Sequence, residues 1–180
     1  MIIDFWNLNK ALWSLLIFLT FGAVMPQAPV PTLATPQDVA SYVLRLPYTG
    51  DPVAGVIDFS NAPTVLAGAI ETGAAGRLAI DCIDCDDFAV LAYACLKQIK
   101  GCHPQLVTLK DASGKFGHHV ICVYFQVRQP LGELARGAID TSGWRALPDA
   151  TPATLCRVWT ELYATRGYHY TEAHPTVYPF

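Results

Sequence analysis

The sequence predicts an α+β fold in which a buried helix packs on an antiparallel sheet. Three observations carry that reading. Capped, helix-periodic segments fill the first half of the chain. The stretch from Cys85 to Gly101 (CDDFAVLAYACLKQIKG) is apolar nearly all round, the mark of a buried helix. Beyond Gly101 come runs of β-branched and aromatic residues separated by turn signals. Helices first and strands after, without βαβ alternation, belong to the α+β class.

Each element has a local reason. Thr35, Pro36 and Asp38 read as a helix start: an N-cap hydroxyl, a proline at the first helical position and an acid at N3. Val39, Tyr42, Val43 and Leu46 follow at helical spacing. Pro47 to Asn61 is a loop broken by Gly50, Asp51 and Gly55. Asn61 to Gly73 predicts a second helix, capped by Ser60 or Asn61 and ended by Gly73. The buried helix then starts at Cys85, with Asp86 and Asp87 in its first turn and Gly101 closing it. Strands are expected at Gln105–Leu109, His118–Val127 and Arg136–Asp140, with turns at Asp111–Gly114 and Ser142–Gly143. Thr151-Pro152 opens a last helix to about Arg166, and the tail from Gly167 supplies an edge strand.

Composition narrows the function classes. With 180 residues the chain holds one domain. Hydrophobic residues make up 52% and charged residues 15%, which excludes a disordered chain. A net charge of -3 and a pI near 5.9 argue against a dedicated nucleic-acid binder. The mean hydropathy of +0.30 is concentrated at Ala11–Met25 (ALWSLLIFLTFGAVM), followed by the four prolines of Met25–Pro36. Residues 1–34 therefore read as an apolar segment plus linker, and residues 35–180 as the functional domain. Residues 11–25 are short for a bilayer span and suit a signal-peptide core better. A membrane anchor and a helix docked on a protein assembly are the other readings. The expected location is accordingly exported, periplasmic or membrane-associated, with a virion-associated protein as the alternative. Six cysteines lack the spacing of a disulfide framework, and Cys95 and Cys122 sit inside apolar runs as buried thiols do.

The chemistry concentrates at Cys85. A cysteine at a helix N-terminus is placed where backbone N–H groups and the helix dipole favour the thiolate. The same groups can later hold an oxyanion. A thiol nucleophile needs a base within reach, and the base needs an orienting acceptor. His118 or His119, at the start of one strand, can supply the imidazole, and Asp140, at the end of the next, can supply the acceptor. Neighbours on a strand point to opposite faces, so one of the two histidines is the candidate.

These residues resemble a known family. Asp84-Cys85-Asp86-Asp87-Phe88-Ala89 is similar to the D-C-[DE]-D-[FY]-A helix start of the transglutaminase-like superfamily, which includes bacterial transglutaminase-like cysteine peptidases. Phe116-Gly117-His118-His119-Val120-Ile121-Cys122-Val123 resembles its histidine strand, and Ile139-Asp140 with Thr141-Ser142-Gly143-Trp144 its aspartate strand. The resemblance spans roughly Ala40 to Leu147, with Cys, His and Asp in the same order. It implies a papain/transglutaminase-like core and a cysteine peptidase or amidase acting on protein or peptide amides by hydrolysis or acyl transfer. Cys85 is then the nucleophile, His118 the general base and Asp140 the orienter. His118 is favoured because it keeps the apolar spacing of the family strand. The resemblance also allows calcium near Asp84 and Asp86; otherwise no cofactor is expected.

Other readings stand beside this one. Cys85 could be a packed core thiol. Cys82 and Cys85 form a Cys-x-x-Cys pair, which a redox couple or half a zinc site would also use; His118 and His119 could complete the latter. Cys102 and His103 could not, because they lie about 25 Å away at the far end of the helix. Asp84, Asp86 and Asp87 crowd the thiol, and their ordinary role would be capping or solvation. His103, His169 and His174 read as solvated loop or tail residues. From a different class, the chain could be a structural component of a phage or secretion assembly that retains this fold and docks through its apolar N-terminal helix.

Overall fold

The computed structural model describes residues 27–48, 61–73, 83–112, 118–128 and 132–176. The apolar segment Ala11–Met25, Ser60, Cys82 with its Cys-x-x-Cys pairing, and Phe116-Gly117 lie outside the described residues. The fold is α+β: four α-helices and a five-stranded antiparallel sheet among the described residues. No helix of the described residues is long and apolar enough to cross a membrane.

Helix α1 (Pro36–Val43) begins with the expected capping box. Thr35 Oγ1 accepts from the Asp38 N–H at 3.1 Å, and Asp38 Oδ2 accepts from the Thr35 N–H at 3.0 Å. Helix α2 (Pro63–Thr72) starts differently from the sequence reading. Its N-cap is Ala62, without a side-chain cap, and Pro63 fills the first helical position. Asn61 does not cap α2 because its side chain is taken by Asp87 of the next helix. Gly73 closes α2 in the left-handed conformation at φ 64°, as a C-terminal glycine should. Helix α3 (Cys85–Leu96) is buried on nearly every side, and turns carry the chain on to Gly101.

The strands are longer than the sequence suggests. They are β1 (Cys102–Asp111), β2 (His118–Arg128), β3 (Glu133–Asp140), β4 (Gly143–Ala146) and β5 (Tyr170–Thr176). The sheet order is β4-β3-β2-β1-β5, so the histidine strand is central and flanked by the aspartate strand. Pro104 hid the beginning of β1, since proline argues against an interior strand position. It pairs across from Tyr124 of β2 but lies beyond the part of β1, Leu106 to Asp111, that pairs with β5.

Both faces of the sheet are covered. Val120, Cys122 and Tyr124 of β2 face a core built with α1, α2 and α3, including Val39, Leu66 and Leu91. Ile121 and Val123 face a second core with Leu155 and Trp159 of α4 (Pro152–Tyr163). Burial on both sides explains why β2 reads as an unbroken apolar run rather than an alternation. From Gln27 on, the proline-rich stretch read as a linker lies along the body of the domain. The Ala28 N–H donates to the Thr64 carbonyl at 3.0 Å, Gln98 Nε2 donates to the Val30 carbonyl at 3.1 Å, and Ala28, Val30 and Leu33 pack on the first core.

Candidate active site

Asp84 opens α3. Its side chain accepts from the Asp86 N–H at 3.1 Å, leaving Cys85 as the first helical residue. The Cys85 thiol is half-buried and rests against the start of β2. Its Sγ accepts from the Val120 N–H at 3.5 Å and lies 4.0 Å from the His118 carbonyl oxygen. These two backbone groups flank His119, so the sulfur sits at the peptide units on either side of that residue.

The five described cysteines are free thiols, and Cys85 differs from the others in its surroundings. Burial pushes Cys95 up to about 12, Cys102 up to about 11 and Cys122 well above the ordinary thiol range. Thiols held in that state are poor nucleophiles. Cys85 alone of the five is not buried.

Asp140 ends β3 and is completely buried. Its Oδ2 accepts from His119 Nε2 at 2.9 Å, Trp159 Nε1 at 2.7 Å and the Tyr163 hydroxyl at 3.1 Å. Its Oδ1 accepts from the Ser142 N–H at 2.8 Å and from the Ser142 hydroxyl. Burial alone would raise the Asp140 pKa. The hydrogen bond and charge of His119, with the donors Ser142 and Trp159, overcome that and hold the carboxyl at about 2.

The imidazole at Asp140 is therefore His119 and not His118, the residue favoured from sequence. The physical reason is strand alternation. His119 shares the sheet face of Ile121 and Val123, where α4 brings Trp159 and Tyr163 to the same carboxylate, and it is buried. His118 is exposed. Asp140 is on the same face, two residues from Ala138 of the second core. The ring of Tyr163 meets that of His119 edge-on at 5.4 Å, and Tyr170 lies 6.2 Å from it.

Cys85, His118, His119 and Thr141 line one pocket of about 260 Å³ at this end of the sheet, together with several tyrosines. The thiol comes from the helix on one face of the sheet and the His119–Asp140 pair from the other. Cys85 and His119 both line the pocket, at the end of the sheet where β2 begins.

The acids at the start of α3 are brought together as well. Ligand atoms of Asp84, Asp86 and Asp87 lie within 4.8 Å of one another, an arrangement that could hold a metal ion. Asp87 is fully buried and already engaged. Its Oδ1 accepts from the Asn61 N–H at 2.8 Å, and both carboxylate oxygens lie 3.2 Å from Asn61 Nδ2. Burial pushes Asp87 up to about 7, with the Asn61 hydrogen bonds pulling against it and the Asp86 charge adding to it.

Sequence reasoning missed Trp159, Tyr163 and Ser142 as partners of Asp140. Ser142 carried a signal, since a hydroxyl two residues after an aspartate commonly returns to it in a turn. Trp159 and Tyr163 carried none, because the partner of a buried ring N–H or hydroxyl far along the chain leaves no local trace.

No family model, curated protein or solved structure matches the chain.

Proposed function

We propose that this chain is a thiol-dependent amide hydrolase, a cysteine peptidase or amidase with a papain/transglutaminase-like core, in which Cys85 is the nucleophile, His119 the general base and Asp140 its orienting acceptor. The observation that carries the reading is the 2.9 Å pairing of His119 Nε2 with buried Asp140, in the pocket that also holds a half-buried thiol at a helix N-terminus. The motif resemblance around Cys85, the strand histidines and Asp140 supports it.

With Nε2–H donated to Asp140, Nδ1 of His119 carries the lone pair. Nδ1 takes the proton of Cys85 Sγ, and the thiolate attacks the amide carbonyl carbon. The N-terminal end of α3 favours the negative charge that develops on the carbonyl oxygen. The C–N bond then breaks, the amine leaves with the proton returned by His119, and a thioester remains on Cys85. Water attacks the thioester as His119 takes its proton. The C–S bond breaks, the carboxylic acid leaves, and the proton returns to Cys85. An amine in place of water would give acyl transfer. Asp140, ionised at every pH above about 2, stabilises the imidazolium formed in each half-reaction.

Asp84 and Asp86 are hard oxygen donors of the kind calcium takes, and they would hold that ion. Its charge would offset the carboxylates beside the thiol, and no step of the reaction depends on it.

The test is the rate of alkylation by iodoacetamide, followed residue by residue by mass spectrometry. Cys85 should react at least ten times faster than Cys95, Cys102, Cys122 or Cys156, and His119→Ala should remove about tenfold or more of that advantage. His118→Ala should cost under about threefold. Uniform reactivity across the cysteines would overturn the reading. A larger loss in His118→Ala would return the base to His118.

A further inference from the structure

The pocket around Cys85 has a chemical bias of its own, and any substrate selectivity it confers rests on Cys85 being the nucleophile proposed above. Among the described residues, four tyrosines from three segments wall it: Tyr48 after α1, Tyr163 at the end of α4, and Tyr168 and Tyr170 leading into β5. Tyr168 stacks on Tyr170 at 5.7 Å, and Tyr163 lies 5.7 Å from Tyr168, which makes a continuous aromatic surface. Beside it stands Arg166, in the 3-10 turn Ala164–Arg166 that joins α4 to β5. Its guanidinium is held over the Tyr163 ring at 5.5 Å, the same ring that meets His119 edge-on.

The charge balance of this wall is one-sided. No carboxylate is among the described residues that line the pocket. Asp140 is buried behind His119, with its oxygens given to five donor groups. The acids at the start of α3 lie outside the lining. An anionic group in the pocket would therefore sit on the Arg166 side, away from the first turn of α3. A guanidinium presents its N–H groups in a fixed fork that suits a planar, two-oxygen acceptor, and contact with an aromatic ring leaves that fork usable.

We infer that the pocket selects a substrate carrying a carboxylate close to the scissile amide, paired with Arg166, while the tyrosines stack on the flat peptide groups around it. The carboxylate could be an acidic side chain or a free peptide C-terminus; both present the same acceptor.

Two small electrophiles test the charge without knowledge of the substrate. Cys85 Sγ displaces iodide from the methylene carbon of either iodoacetate or iodoacetamide, and the two reagents differ in one carboxylate against one amide. The readout is the ratio of the iodoacetate rate to the iodoacetamide rate at Cys85. Arg166→Gln should lower that ratio about threefold to tenfold, as expected for loss of one nearby opposite charge in a partly solvated site. Arg166→Lys should hold it within about twofold, and the difference between Arg166 and Gln should shrink in high salt.

Blocked tripeptides then identify the source, as protectants of Cys85 against iodoacetamide. One carries a Glu side chain and an amidated C-terminus, one carries Gln and a free C-terminal carboxylate, and one carries Gln and an amide. Protection by either charged peptide at a clearly lower concentration than the neutral one supports the inference and names the carboxylate. A ratio unmoved by Arg166→Gln, or equal protection by all three, overturns the inference and leaves the thiol reading standing. A Cys85 that alkylates no faster than the buried cysteines overturns both.

Discussion

Trp159 and His119 donate to the same oxygen, Oδ2 of Asp140, and the Trp159 bond is the shorter, 2.7 Å against 2.9 Å. The indole N–H is a donor only, so it holds the carboxylate in its ionised form and fixes its position without competing for a proton. Helix α4 thereby becomes part of the support of a pair that the sequence places wholly on β2 and β3. The Tyr163 hydroxyl, one turn further along α4, adds a third donor to that oxygen at 3.1 Å.

Replacing that indole should expose the arrangement. Trp159→Phe removes a hydrogen bond to a charged group and should cost about 1.5–3 kcal/mol at neutral pH, with some further loss from packing. Asp140 is held at about 2 in the folded chain, below its unfolded value. Its contribution is present above the unfolded value and is lost as pH falls toward 2. Without Trp159 the folded value rises, so acid unfolding should begin at a higher pH than in the wild type. Urea unfolding across the acid range measures this. A pH-independent loss would mean that the indole acts through packing alone.

Asp87 should show the opposite dependence. The folded chain holds its proton up to about 7, far above the ordinary 3.8. The stability linked to that proton is present at acid pH and declines as pH rises through about 7. Asp87→Asn removes the titration and keeps an acceptor for Asn61. Against the wild type, the variant should gain in relative stability between about pH 5 and pH 8. Chemical unfolding at the two pH values decides it; a gap that does not change with pH would refute the assignment.

Gly137 reports on the register of the aspartate strand. It pairs with Tyr124 of β2, and a Cβ there would lie 2.6 Å from the Tyr124 hydroxyl and 2.9 Å from the Arg145 carbonyl oxygen. That hydroxyl also accepts from Trp144 Nε1 at 2.6 Å, so it is not free to move aside. Gly137→Ala should destabilise the chain by about 1–3 kcal/mol. Wild-type stability in this variant would mean that β2 and β3 pair in another register, and His119 and Asp140 with them.

The segment before α1 should matter to stability. A chain beginning at Gln27 keeps the bonds of Ala28, Val30 and Thr32 to Thr64 and Gln98. One beginning at Thr35 loses them together with the packing of Val30 and Leu33, a deficit of about 2–4 kcal/mol. Thermal unfolding of the two truncated chains provides the comparison. Gln98→Ala should destabilise the longer chain and so narrow the difference by about 1 kcal/mol.

Much of this fold was legible because its signals are local. Thr35, Pro36 and Asp38 announce α1, Gly73 ends α2, and the all-apolar run after Cys85 marks α3 as buried. The expected strands are short at the start of β1, where Pro104 hides the pairing, and at the start of β3, where Glu133–Ala135 carry no strand signal and pair only because β2 lies beside them. The choice between His118 and His119 depends on which sheet face receives Asp140, and α4, more than thirty residues downstream of the histidines, helps to define that face. The engagement of Asn61 by Asp87 is of the same kind: a residue that reads as a cap from its neighbours is claimed by a carboxylate from another helix.

Because the sheet is covered on both faces, the thiol and the imidazole–carboxylate pair are anchored in different cores. Detachment of α4 would withdraw two donors from Asp140 and open the face that shelters His119, while the three helices around Cys85 kept their packing. If the proposed roles of Cys85 and His119 hold, local opening of that kind would lower the reactivity of Cys85 long before the whole molecule unfolded. Amide hydrogen exchange in α4 would then track loss of Cys85 reactivity more closely than exchange in α3.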